Sequence, residues 1–191
     1  MPKAQVVTKH IIDSAAKAGG STNKKMIPEH LITETLHVVS VDPDHAQRRE
    51  TPEFRNAKAR LKADGHWHCD VCGTTENLEV HHRIEYHWAH IVDFDKLKSW
   101  CERNDIYGYG RLLKKIPITS IDDVRVMRVL CHSHHVGINH ADGGMGIGIH
   151  KTDEPTFEIQ AVAKDGAIPV PQEGETLTDV LNRIKKAETS S

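Results

Sequence analysis

Aromatic residues are scarce in this chain, and so is any imbalance of charge. Phe, Trp and Tyr make up 5% of the 191 residues, and the formal net charge is -2. That balance argues against a generally basic nucleic-acid binder and leaves room for a local basic face only. No apolar run is long enough for a signal peptide or a membrane span, so a soluble, cytoplasmic chain with no membrane partner is expected. No internal repeat is visible. Cysteine is rare as well: four stand against fifteen histidines. A reducing compartment keeps such thiols free, and the ratio points to metal chemistry before oxidation. A chain of this length buries enough core to fold without disulfides.

Three zones follow from the local signals. Residues 1–65 read as an N-terminal helical region. "VVTKHIIDSAAKAGG" closes on a glycine pair, "IPEHLITETLHVV" places Pro28 in a first turn, and a third helix opens at Thr51 and Pro52 and stops before Gly65. This third helix carries Arg55, Lys58, Arg60 and Lys62, a run that meets phosphates or, as more often happens, stays solvated. Residues 66–144 gather the cysteines and most of the histidines, with an amphipathic helix carrying Phe94, Leu97 and Cys101 between them. Residues 145–191 read as short strand-like pieces and a last helix with Leu177, Leu181 and Ile184 on one face. The fold class expected is α+β.

Cys69 and Cys72 stand in "CDVC", where two thiolates with two residues between them can hold one tetrahedral ion from a tight knuckle turned at Gly73. Cys131 and His134 in "CHSH" repeat the spacing and complete a three-cysteine, one-histidine set that matches structural zinc. A disulfide between Cys69 and Cys72 is the competing reading, and Cys101 reads as a buried free thiol.

Between the two half-sites lies "LEVHH", with Leu78 and Val80 alternating about Glu79 as in a half-buried strand. Successive strand residues point to opposite faces, so His81 and His82 diverge: one ring suits a metal, while the other is left to take a proton. After the second pair comes "HVGINH". In a continuous helix His135 and Asn139 share a face, with His140 as a fallback ligand, although Gly137 weakens that helix. Asn139 as a plain helix C-terminal residue is the alternative. His66, His68, His87 and His90 read as surface or packing residues, and the glycines of "DGGMGIGIH" as a turn.

The combination of a cysteine knuckle, a strand ending in "LEVHH" and a second pair followed at once by histidine resembles the HNH endonucleases that carry a structural zinc. The resemblance covers 66–140, less than half of the chain. It implies a ββα-metal core flanked by the N-terminal helical region and the C-terminal strand and helix extension. By position, His81, His135 and Asn139 would hold the catalytic divalent metal and His82 would be the general base. The second pair ends in His134 where the family has cysteine. The family's middle asparagine is missing; Asp122, Asp123 and Asn104 are the nearby candidates, and the role stays unassigned.

The resemblance further implies a metal-dependent DNA endonuclease, with double-stranded DNA as partner and 5′-phosphate and 3′-hydroxyl products. Mg²⁺ or Mn²⁺ is the expected catalytic ion, and imidazole ligands also accept Ni²⁺, Co²⁺ or Zn²⁺. The flanking regions are expected to supply substrate selection or the contacts of a homodimer. Two rivals are a non-catalytic, zinc-stabilised DNA-binding module and a nuclease acting on RNA or on branched DNA.

Overall fold

Around Ile11 and Ile32 the chain is rich in β-branched residues, which crowd a helix and suit a pleated backbone. There the structure, a computed structural model describing residues 9–11, 32–34, 40, 49–137, 147–152 and 154–189, has two short strands. β1 (Lys9–Ile11) pairs antiparallel with β2 (Ile32–Glu34), Ile11 opposite Ile32. The helices expected over these positions are therefore corrected to strands. Contacts divide the chain into two compact units, 1–39 and 40–191.

α1 (Pro52–Ala63) is the helix expected from its capping residues. Thr51 Oγ1 accepts from Phe54 N at 3.0 Å, and the helix ends at Asp64 before Gly65, whose φ of +82° favours glycine. It buries Phe54, Ala57 and Leu61, and it belongs to the same compact unit as the cysteines.

β3 (Leu78–His82) pairs antiparallel with β4 (Met127–Cys131), with Val80 opposite Val129 and His82 opposite Met127. One face of this ribbon joins the main core through Met127 and Val129, with Val80 packed against them. The other face carries Glu79 and His81. A small second cluster of Cys69, Leu130, Cys131 and Ile149 seals the knuckle.

α2 (Phe94–Arg103) is capped by Asp93, which accepts from Asp95 N and Lys96 N, and it buries Leu97, Trp100 and Cys101. α3 (Tyr109–Leu112) is a single turn, and α4 (His132–His135) follows β4 directly. α5 (Glu154–Val162) replaces the expected strand pieces: Thr152 Oγ1 accepts from Glu154 N, Pro155 lies in the first turn, and Ile159 and Val162 are buried against α2. α6 (Leu177–Thr189) buries Val180 and Ile184, with Leu177 packed against the same core; of the expected stripe Leu177, Leu181 and Ile184, only Leu181 faces outward, and Val180 takes its place. Together the described residues form a mixed helical fold with small antiparallel sheets, within the α+β class. No helix among them is long and apolar enough to cross a membrane.

Candidate metal centre

The knuckle forms because Gly73, at φ +73°, lets its own N–H reach back to Cys69 O at 2.8 Å. Asp70 N then donates to Val129 O at 2.9 Å, and the Asp70 carboxylate takes Arg128 at 2.9 Å, which ties the knuckle to β4. Cys69, Cys72, Cys131 and His134 converge, each offering one ligand atom. His134 Nδ1 lies 3.5 Å from Cys69 Sγ and 3.2 Å from Cys131 Sγ. A tetrahedral zinc with Zn–S bonds of about 2.3 Å places its sulfurs ~3.8 Å apart. Cys72 Sγ and Cys131 Sγ are 3.9 Å apart. Burial alone would raise the Cys69 thiol, but hydrogen bonds from the backbone at Cys131, Cys72 and Val71 outweigh it and bring the pKa down to about 6. The set thus fits an ion such as zinc, and the four cysteines are free of disulfides. Cys101, outside the set, is buried, and burial pushes its thiol up to about 12.

On the other face of β3 a second cluster gathers His81, His135 and His150, with one ligand atom each. His135 Nε2 and His150 Nε2 face one another at 2.8 Å. The His81 ring centroid lies 5.4 Å from that of His135 and 4.9 Å from that of His150. The outer nitrogens of the two paired rings meet carboxylates: His135 Nδ1 is 2.5 Å from Glu79 Oε2, and His150 Nδ1 is 3.1 Å from Glu85 Oε1. A carboxylate that accepts a hydrogen bond from Nδ1–H leaves the Nε2 lone pair for a metal, the usual arrangement behind a ligating histidine. His81 Nε2 is buried with no hydrogen-bond partner among the described residues, an orphan that an ion would satisfy. Burial pushes the His81 ring down to about 3, so it is neutral. Burial alone would raise Glu79 and Glu85, yet both are lowered: the hydrogen bonds from His135 and His132 prevail at Glu79, and that from His150 at Glu85. The cluster runs from buried His81 to exposed His150, so one side is open to solvent.

His150 reaches this place because Gly148 lies against the end of α4. A Cβ on Gly148 would stand 2.3 Å from Gly137 N and 2.7 Å from His135 O, a closeness that only glycine permits. Gly137, at φ +98°, marks the end of α4 after one turn. The long helix expected to carry both His135 and Asn139 is therefore corrected to this single turn. Asn139 and His140 lie outside the described residues.

His82 points the other way, as strand alternation requires. Its ring stacks on Phe54 at 4.7 Å and is 4% exposed, and its Nε2 is 2.7 Å from Asp122 Oδ1. Thr51 donates to the second Asp122 oxygen at 2.6 Å, so the N-cap of α1, the acid and the imidazole form one chain. Asn104 does not share in it; its amide donates to Trp100 O. Asp123 turns instead to Arg125.

Of His81, His135 and Asn139, expected at the catalytic metal, the structure brings the first two together, and it sets His82, expected as the base, apart with Asp122. His150, Glu79 and Glu85 were not anticipated. Glu79 could have been read from its place two residues before His81 on the same strand face; His150, after a glycine-rich stretch, gave no comparable signal. The four basic residues of α1 also part company. Lys58 pairs with Glu50 and Arg55 donates to Glu50 O, Arg60 meets Asp64 and lies over Tyr109, and Lys62 lies over Trp67 at 4.2 Å. His66 packs on Tyr107 and Tyr109, His87 on Trp88, and His90 pairs with Glu188.

Comparison with family models, with curated proteins and with solved structures finds no match to this chain.

Proposed function

We propose that the chain is a metal-dependent endonuclease that hydrolyses phosphodiester bonds in DNA, built on a ββα-metal core of the HNH type. The observation that carries the reading is the convergence of His81, His135 and His150 beside the Cys69, Cys72, Cys131 and His134 knuckle. The order of strand β3 ending in two histidines, strand β4 and short helix α4 is the one the resemblance implies.

His81, His135 and His150 would hold the divalent ion, His150 adding a ligand that the resemblance does not supply. Bound there, such an ion supplies positive charge to the phosphoryl oxygens and acidifies a coordinated water. Glu79 and Glu85 fix the tautomers of His135 and His150. The resemblance would make His82 the general base, but its ring is buried on the face of β3 away from these three histidines, with Nε2 2.7 Å from Asp122 Oδ1, so the metal cluster carries the reading and His82 does not. Asp122 lies in the stretch where the family carries its middle asparagine, and it holds His82 and Thr51. The burial of His82 supports a second reading, in which His82 and Asp122 only brace α1 against β3 in a non-catalytic DNA-binding module.

The test is nicking of supercoiled plasmid with Mg²⁺, Mn²⁺ or Ni²⁺ by the wild type, His135→Ala and His82→Gln, with zinc content and melting followed in parallel. The endonuclease reading expects cutting by the wild type and a fall of about a hundredfold or more in His135→Ala when the folded, zinc-loaded state persists; a like fall in His82→Gln assigns the base to His82, and its absence leaves His82 a brace. DNA binding without cutting by the wild type supports the module. Equal cutting by His135→Ala identifies a contaminant and removes the reading.

A further inference from the structure

The last residues of α3 and the turn after it, 111–116, hold large aliphatic side chains out in solvent. Leu112 is 67% exposed and Ile116 53% exposed. Around them stand Arg111, Lys114 and Lys115. Arg111 and Lys114 make only loose pairs, 3.4 Å to Asp105 and 3.9 Å to Glu102, with side chains 82% and 71% exposed. Lys115 has no acidic partner among the described residues.

The loop is anchored from beneath. The Arg125 side chain, 1% exposed, donates to Ile116 O at 2.8 Å, Pro117 O at 3.1 Å and Leu113 O at 3.2 Å, while Asp123 holds its other edge. At the start of the loop the Asp105 carboxylate accepts from Gly110 N and Arg111 N, and Gly110 lies so close to α2 that a Cβ would stand 2.5 Å from Cys101 O. Exposed aliphatics on a frayed loop would mean little, but here buried polar groups fix the backbone that presents them. Cations beside a rigid apolar tip suit a polyanion with a stacked apolar interior.

We infer that the loop 111–116 is a wedge for duplex DNA: Arg111, Lys114 and Lys115 contact phosphates, and Leu112 with Ile116 enters a groove and parts a base step. The inference rests on the nuclease reading and deepens it by naming how the duplex is gripped.

The experiment uses the full zinc-loaded chain carrying His135→Ala, with a duplex containing 2-aminopurine to report unstacking. The expected result is a rise in 2-aminopurine fluorescence on binding. Leu112→Ala with Ile116→Ala should abolish that rise and weaken binding about tenfold, and methionine at both positions should restore it. Lys114→Gln with Lys115→Gln should instead lower the salt dependence of binding by roughly two phosphate contacts. The side chains are exposed, so unchanged melting checks the fold. If the alanine pair binds and unstacks like its parent while the wild type still nicks plasmid, the wedge is overturned and the nuclease stands. If the wild type neither binds nor cuts DNA, and binds phosphatidylserine vesicles instead, both fall.

Discussion

His81 and His82 are neighbours in sequence and belong to different chemistries, because a strand sends consecutive side chains to opposite faces. His81 joins two other imidazoles and keeps a buried nitrogen without a partner among the described residues, while His82 is fixed between Phe54 and Asp122. Other buried ionisable groups show the same dependence on surroundings. Glu158 lies 3.8 Å from Arg83 and near Glu154 and Arg128, yet burial outweighs the attraction of the two arginines and pushes its pKa up to about 7. A carboxyl whose folded pKa exceeds its unfolded value near 4.5 contributes stability that is full below that value and is lost as pH rises through about 7. Glu158→Gln should therefore melt above the wild type by a larger margin at pH 8 than at pH 5.5. A margin independent of pH would show that Glu158 is ionised throughout.

At the scale of elements, Gly148 decides whether the third imidazole arrives. An alanine there would place its Cβ against the backbone at Gly137, and the only relief is to move the chain that carries His150. Gly148→Ala is expected to leave the Cys69, Cys72, Cys131 and His134 ion in place and to weaken the second ion at least tenfold, read by metal content after dialysis. Retention of both ions would show that the close approach does not matter.

Elements with strong local signals were legible in the sequence. Thr51 and Pro52 announced α1, the alternation in "LEVHH" announced β3, and the paired spacing announced the knuckle, since each depends on residues near one another in the chain. The second cluster was half legible. His81 and His135 carry the resemblance, but His150 and Asp122 reach their partners only through tertiary packing. α5 was misread because the isoleucines, glycines and prolines around it suggest short strands, whereas its helix depends on a cap at Thr152 and on packing against α2.

At the scale of the whole molecule, the knuckle fixes the ends of β3 and β4 relative to each other: Cys131 closes β4 opposite Leu78, and His134 lies in the turn that carries His135. A small ribbon has little core of its own, so an ion held there would contribute to folding. Cys69→Ser is expected to lower the melting temperature and to cost both ions, because losing the first site lets α4 move. A variant that melts like the wild type while lacking zinc would separate the knuckle from stability.

The central claim is that His81, His135 and His150 form one metal centre, independent of the cysteine site. Calorimetric titration of the zinc-loaded chain with Co²⁺ or Mn²⁺, in the wild type and in His150→Ala, tests it most directly. The account predicts one further ion per chain in the wild type, bound at least tenfold more weakly or not at all in the variant, with zinc content equal in both. An identical titration in the two proteins, or no uptake by the wild type, would contradict it.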